Sequence, residues 1–246
     1  MQKIMIFLTA FALLSACREK DEAPAPPALQ NVAINFEALF DGQPLTFGGQ
    51  YFTLASGEEV RFVRMKFLLS GIHFSGTEAV TYPKIPYAYI DVQGGRLSAP
   101  LQFSKTNHQF DRFAFDLGVD SAANHADPNQ VPAGHPLDPV VNQLHWGWAD
   151  GYVYLLLEGF QKHPNGDIPV IFHVGIFPDL NSVEVVLPEI SELPEQLNFK
   201  VHVDKIFSTP RVYSLVENGT FTHSGQDGGV AAFLYDNFSN AFEFVP

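Results

Sequence analysis

Residues 144–159, LHWGWADGYVYLLLEG, set the reading of the whole chain. From Tyr152 to Glu158 the run is Tyr, Val and Leu with no helical spacing of polar residues, and it reads as a strand. Ala149, Asp150 and Gly151 form a tight turn just before it. Ahead of the turn stand Trp146 and Trp148, the 2 tryptophans of the chain, beside His145. All the indole is thus gathered next to an imidazole where a strand begins.

The same strand signal recurs on both sides. Val32, Ile34 and Phe36 alternate with Asn31, Ala33 and Asn35. Residues 60–74 form a long apolar run, a bent strand or two. Further segments fall at 87–92, 110–117, 168–177, 183–187, 199–207 and 212–222, separated by Gly, Pro, Asn and Asp clusters. Residues 191–199, SELPEQLNF, have the composition of a helical turn. This pattern predicts an all-β fold, an Ig-like antiparallel β-sandwich with long irregular loops. The 23 phenylalanines suit two inner faces that interdigitate. One region breaks the rhythm: residues 118–142, GVDSAANHADPNQVPAGHPLDPVVN, have no strand pattern and lead straight into the paired tryptophans. Loops of this length inside a compact domain usually carry function.

The N-terminal residues read as an export signal. Lys3 precedes an apolar run over 4–14, too short to span a bilayer. Leu14-Ser15-Ala16-Cys17 then resembles a lipoprotein cleavage site. This assigns 1–16 to a signal peptide, Cys17 to lipidation, 17–30 to a Pro- and Ala-rich tether, and 31–246 to the sandwich. Cys17 is the chain's 1 cysteine, so no disulfide supports the domain. The chain is expected to be lipid-anchored in the bacterial cell envelope, at the outer membrane, on its periplasmic side or the cell surface. A net charge of −13 argues against nucleic acid as a partner.

Several motifs together resemble the MbnP-like copper-binding family. They are GVDSAANHADP, HPLDP, LHWGWADGYVYLLLEG and FHVG, with INFEALFDGQPL and VRFVRMKFLLSGIHF resembling the opening strands and DNFSNAF the closing one. The resemblance covers most of the chain after Cys17. It implies a secreted or lipid-anchored β-sandwich. It implies copper held by histidines and by a tryptophan oxidised to kynurenine, an oxidation carried out by a partner dihaem cytochrome c peroxidase of the MauG/MbnH type. Copper-binding members often carry a histidine in the opening strand, where this chain has Phe36-Glu37-Ala38-Leu39.

The candidate metal ligands are His173, His125 and His145. His173 shares a strand face with Ile171 and Gly175, opposite Val170, Phe172 and Val174, and Gly175 leaves space beside it. His125 stands in Asn124-His125-Ala126-Asp127, where Asp127 is placed to orient its ring. His145 is a candidate by its adjacency to Trp146, and His135 follows in the same loop. His202 alternates with Lys200 and Asp204 on a face read as solvated. His73, His108, His163 and His223 have no evident companions. Trp148, nearest the turn, is the first choice for oxidation, with Trp146 packed inward behind His145.

No G-x-S-x-G, H-E-x-x-H or phosphate-binding glycine loop is present, so the chain reads as a binding protein rather than an enzyme. Three readings stand. One is an envelope lipoprotein that binds copper. Another is a metal-free module presenting Trp146, Trp148, Tyr152 and Tyr154 as an aromatic platform for a glycan or protein. The third is a purely structural envelope domain. Replacing Cys17 by serine is expected to move the protein from the membrane pellet to the soluble fraction. Continued sedimentation with membranes would contradict the anchor.

Overall fold

The computed structural model describes residues 27–147, 151–175, 177, 179–223 and 229–246. Cys17 and the signal peptide lie outside them. In chain order the strands begin with β1 (Leu29–Phe40), β2 (Gln43–Pro44), β3 (Phe52–Thr53), β4 (Glu59–Ser75), β5 (Val80–Thr81), β6 (Ala88–Asp91), β7 (Ser98–Ser104) and β8 (Phe110–Leu117). Two short helices follow, α1 (Ser121–Asn124) and α2 (Pro139–Asn142), with a 3-10 turn between them at Pro128–Gln130. Then come β9 (Val153–Gln161), β10 (Ile168–Gly175), β11 (Ser182–Ile190) and β12 (Gln196–His202). The chain continues through α3 (Val203–Ile206), α4 (Leu215–Asn218), β13 (Phe221–Thr222), α5 (Val230–Ser239) and β14 (Phe242–Val245).

Two sheets form the expected sandwich. One has 5 strands in the order β14-β12-β1-β2, with β7 also on β1; the other has 9, in the order β11-β8-β4-β9-β10-β13 with β3, β5 and β6 on β4. Most pairs are antiparallel, but β1 with β12 and β10 with β13 are parallel. Residues 60–74, read as a bent strand or two, are one strand with an irregularity between Ser70 and His73. Its first part pairs with β9 and its second with β8.

Phenylalanines fill the space between the sheets. Phe36 on β1 meets Phe67 edge-on at 5.5 Å and stacks on Phe199 at 5.8 Å; Phe115 meets Phe199 at 5.4 Å. Such pairs add to the burial of their rings about 0.5–1.5 kcal/mol each. Residues from both sheets contribute, so this cluster joins them.

Four expectations fail in the second half of the chain. The strand expected over 199–207 ends at His202, because Val203, Ile206 and Phe207 are buried at helical spacing. The strand expected over 212–222 is interrupted by the helical turn α4, and only the two residues of β13 are strand. Ser214 caps α4 by accepting the Glu217 N–H at 3.1 Å, half of a capping box. The helical turn expected in 191–199 is absent, and β12 begins at Gln196. Most of DNFSNAF lies in α5 rather than in a closing strand, which follows as β14. The last two residues assigned to the tether already belong to β1.

Phe36→Ala is expected to lower stability by about 3–5 kcal/mol, read from urea denaturation. A loss of well under 1 kcal/mol would show that the phenylalanine cluster does not join the sheets.

Candidate functional site

The irregular region is organised by its aspartates. Asp120 accepts the N–H groups of Ala122 and Ala123 at 3.1 Å, Asp127 that of Asn129 at 2.9 Å, and Asp138 those of Val140 and Gly134, both at 2.9 Å. Each begins a helical turn, the ordinary use of Asp at such a position. The loop is then bolted to the start of β9. Asn124, 5% exposed, accepts the Tyr152 N–H at 2.8 Å, and the Tyr152 hydroxyl donates to Leu137 O at 2.7 Å. Gly151 makes this possible. Its φ is +70°, and a Cβ there would lie 2.4 Å from the Asn124 amide. The Trp146 N–H donates to Gly151 O at 2.9 Å, so the loop leaves Trp146 at the edge of this joint.

A polar row crosses the outer face of the larger sheet. Arg64 on β4 is paired with Glu158 on β9, and β10 runs beside β9. The Arg64 guanidinium forks onto the Glu158 carboxylate with two bonds of 2.6 Å. The same carboxylate lies 2.7 Å from Nε2 of His173. On the far side, His173 Nδ1 faces His223 Nδ1 at 3.0 Å. Parallel pairing of Phe172 with Thr222 brings the two histidines side by side. Behind the strand, Val170, Phe172 and Val174 are fully buried, so the expected alternation of β10 holds.

Trp146 closes the row. Its ring centre is 5.3 Å from that of His223. The space beside His173 at Gly175 is taken up by protein: a Cβ there would lie 2.5 Å from Tyr152 O and 3.2 Å from the Trp146 ring. The buried Trp146 Nε1 has no hydrogen-bond partner among the described residues.

The electrostatics follow from burial and the fork. Burial works against the Glu158 charge, yet the hydrogen bonds from Arg64 and His173 hold its pKa below the ordinary carboxylate value. For His173 burial is the larger influence and pulls its pKa below the usual histidine value, against the opposing pull of Glu158. The carboxylate is therefore ionised and the imidazole neutral near pH 7.

The other sequence candidates are placed differently. Asp127 does not orient His125, since it caps the following turn. The exposed His125 has Nδ1 2.7 Å from Ser121 O. His145 accepts the Gly147 N–H at 2.9 Å and packs edge-on against Tyr152 at 4.5 Å; burial lowers its pKa, and its Nε2 has no partner among the described residues. Both make local contacts, and among the described residues neither forms a metal-ligating group with His173. His135 accepts the Leu137 N–H at 3.1 Å and packs on Tyr87. His202 is not on a solvated face: it pairs with Glu243 at 2.6 Å and its side chain is 14% exposed. Trp146 lies against His223 and Gly175, whereas Trp148 falls outside the described residues. Tyr152 and Tyr154 are 1% and 2% exposed, so the aromatic platform cannot be built from them.

His223 was the ligand candidate that sequence reasoning missed. Nothing in its spacing marks it, and only the pairing of β10 with β13 places it. Among the described residues no group of three His, Cys, Asp or Glu is arranged to hold a metal. The two facing imidazoles nevertheless suit a borderline or soft ion. Two nitrogens bound to one ion at a tetrahedral angle stand about 3.3 Å apart for bonds of about 2.0 Å. The observed pair would need to open by only a few tenths of an ångström.

Gly151→Ala is expected to lower stability by about 1–3 kcal/mol, since alanine is strained at this φ and meets Asn124. The companion change Asn124→Ala should recover part of that loss in a double-mutant cycle. Strict additivity would show that the contact is not the cause.

A family model described as MbnP matches residues 29–224. A comparison with solved structures finds MbnP from Methylosinus trichosporium, at 14% sequence identity and a TM-score of 0.53, over 76% of this chain and 80% of that one. A comparison with curated proteins gave no match. The matched span runs from the first strand to just beyond His223 and takes in every strand but β14, with the whole polar row. With the family model matched over most of its length and the sandwich shared with a solved structure of that name, this chain belongs to the MbnP family.

Proposed function

We propose that the protein binds a single copper ion through Nδ1 of His173 and Nδ1 of His223. The observation that carries this is the pair of imidazole nitrogens facing each other at 3.0 Å, beside an indole. Imidazole suits copper, and a cuprous ion accepts fewer ligands than the four usual for zinc. His125 and His145 are not ligands in this reading. The protein acts as a copper carrier or store rather than as an enzyme, held in the bacterial envelope by lipid on Cys17.

Trp146 takes the role of the modified residue, in place of Trp148. Its ring contacts His223 and its buried Nε1 has no partner among the described residues, so an altered side chain there would lie beside the ion. Conversion to kynurenine gains one oxygen and loses one carbon and leaves an aromatic amine and a ketone near the histidines. The chain has no redox thiol after lipidation of Cys17, so the oxidant comes from a partner, which the resemblance gives as a dihaem cytochrome c peroxidase.

Competition against a chromogenic cuprous chelator tests the ligand set. His173→Ala and His223→Ala are each expected to weaken binding tenfold or more, about 1.4 kcal/mol, while His125→Ala and His145→Ala leave it unchanged. A His223→Ala protein that binds like the parent would refute the site. Peptide mapping of native, copper-replete protein should place the modification on Trp146, and an unmodified Trp146 would remove it from the site.

A further inference from the structure

We propose that Glu158, clamped by Arg64, is a positioning residue that sets the tautomer of His173 and so directs a bare Nδ1 lone pair toward His223. The inference rests on the copper-binding reading for its purpose, but its geometry stands without a metal.

An ionised carboxylate can only accept hydrogen bonds. Its approach to His173 Nε2 at 2.7 Å therefore requires the proton to be on Nε2. A neutral imidazole carries one ring proton, so Nδ1 is left without one. Free histidine has no comparable restraint, and its proton is shared between the two nitrogens. Here the choice is made by a carboxylate that cannot turn away. Both guanidinium bonds from Arg64 are 2.6 Å long, and planar forks of this kind hold a carboxylate in one orientation. Glu158 and His173 have side chains only 14% and 17% exposed, so water competes weakly for either.

The backbone holds the three residues in line. Arg64 and Glu158 are direct partners across β4 and β9, next to a register shift between Phe62 and Arg64. His173 comes from β10, the strand on the other side of β9. No loop intervenes among these groups, and each side chain is fixed by its strand.

His223 has the complementary freedom. It lies just past β13, is exposed, and has no carboxylate partner among the described residues. Without an ion, its Nδ1–H donates to the bare Nδ1 of His173. To admit an ion, that proton leaves Nδ1 and one from solvent takes up Nε2. The net charge of the ring is unchanged, so no oxidant or base is consumed. One histidine is thus preset and the other adapts, an arrangement often supplied by outer partners around metal-ligating histidines.

Nitrogen-15 NMR of histidine-labelled, metal-free protein reads the tautomer directly. In the parent, His173 should show a protonated Nε2 and a bare Nδ1. Glu158→Leu should give a mixture of tautomers, and Glu158→Gln, whose side-chain carbonyl still accepts from Nε2–H, should restore the parent pattern. Arg64→Met provides a second route if Glu158→Leu fails to fold, and should also loosen the preference. Cuprous affinity should fall about tenfold or more in Glu158→Leu and recover in Glu158→Gln. A parent His173 protonated on Nδ1, or a tautomer unaffected by either Glu158→Leu or Arg64→Met, would overturn the proposal. The expected NMR pattern in a protein that binds no copper would leave the positioning role intact and refute the copper reading instead.

Discussion

β9 has to be buried on both faces. Leu155 and Leu157 point into the sandwich and are fully buried, while Tyr154 and Leu156 point outward and are nearly as buried. A strand of an antiparallel sheet usually leaves one face to water. Here the outer face needs a cover, and part of that cover is the long irregular loop. The need explains why the run after Gly151 is continuously apolar instead of alternating. It also explains why the loop is held so firmly: Asn124 and Leu137 bind Tyr152, and Asn142 O lies 3.3 Å from the Lys66 amine.

Where the cover ends, charge begins. Glu158, two residues after Leu156 on the same face, meets Arg64, and Lys66 meets Asp91 at 3.5 Å. Arg64 and Lys66 on β4 are thus each matched by an acid on a neighbouring strand. Partly buried pairs of this kind contribute little net stability, because desolvation offsets attraction. Their main effect is to fix direction. Glu158 serves the strand pairing, the electrostatic balance and the orientation of His173 with one carboxylate.

The loop and the row meet at Trp146. Its backbone belongs to the turn closed by Gly151, and its ring packs on Gly175 and His223. The motif read first in the sequence is therefore an assembly device. Gly151 and Tyr152 take the loop, Tyr154 and Leu156 take its cover, Glu158 takes the histidine, and Trp146 lies where all of these converge.

Alternation and turn residues alone established the all-β fold, most of the strands before β12, and the inward face of β10, because a two-residue period is a local property of the chain. The motifs were legible enough to place it in a family. Some errors had local remedies: the spacing Ala231, Leu234, Tyr235, Phe238 is that of a helix, and Ser214 with Glu217 is a capping pattern, so α5 and α4 were readable from the residues. The site was not. His173 was recognised for its strand and Gly175 for its close approach, but the space beside that glycine is filled by Trp146. His223 is fifty residues away from His173 in the chain, and it acquires a role only when β13 pairs in parallel with β10. Arg64 joins by the same means, through the register of β4 with β9. Side-chain periods are written into neighbouring residues, whereas strand pairing is decided by packing over the whole molecule; hence the fold could be read from the sequence, and the partners of His173 only from the tertiary structure.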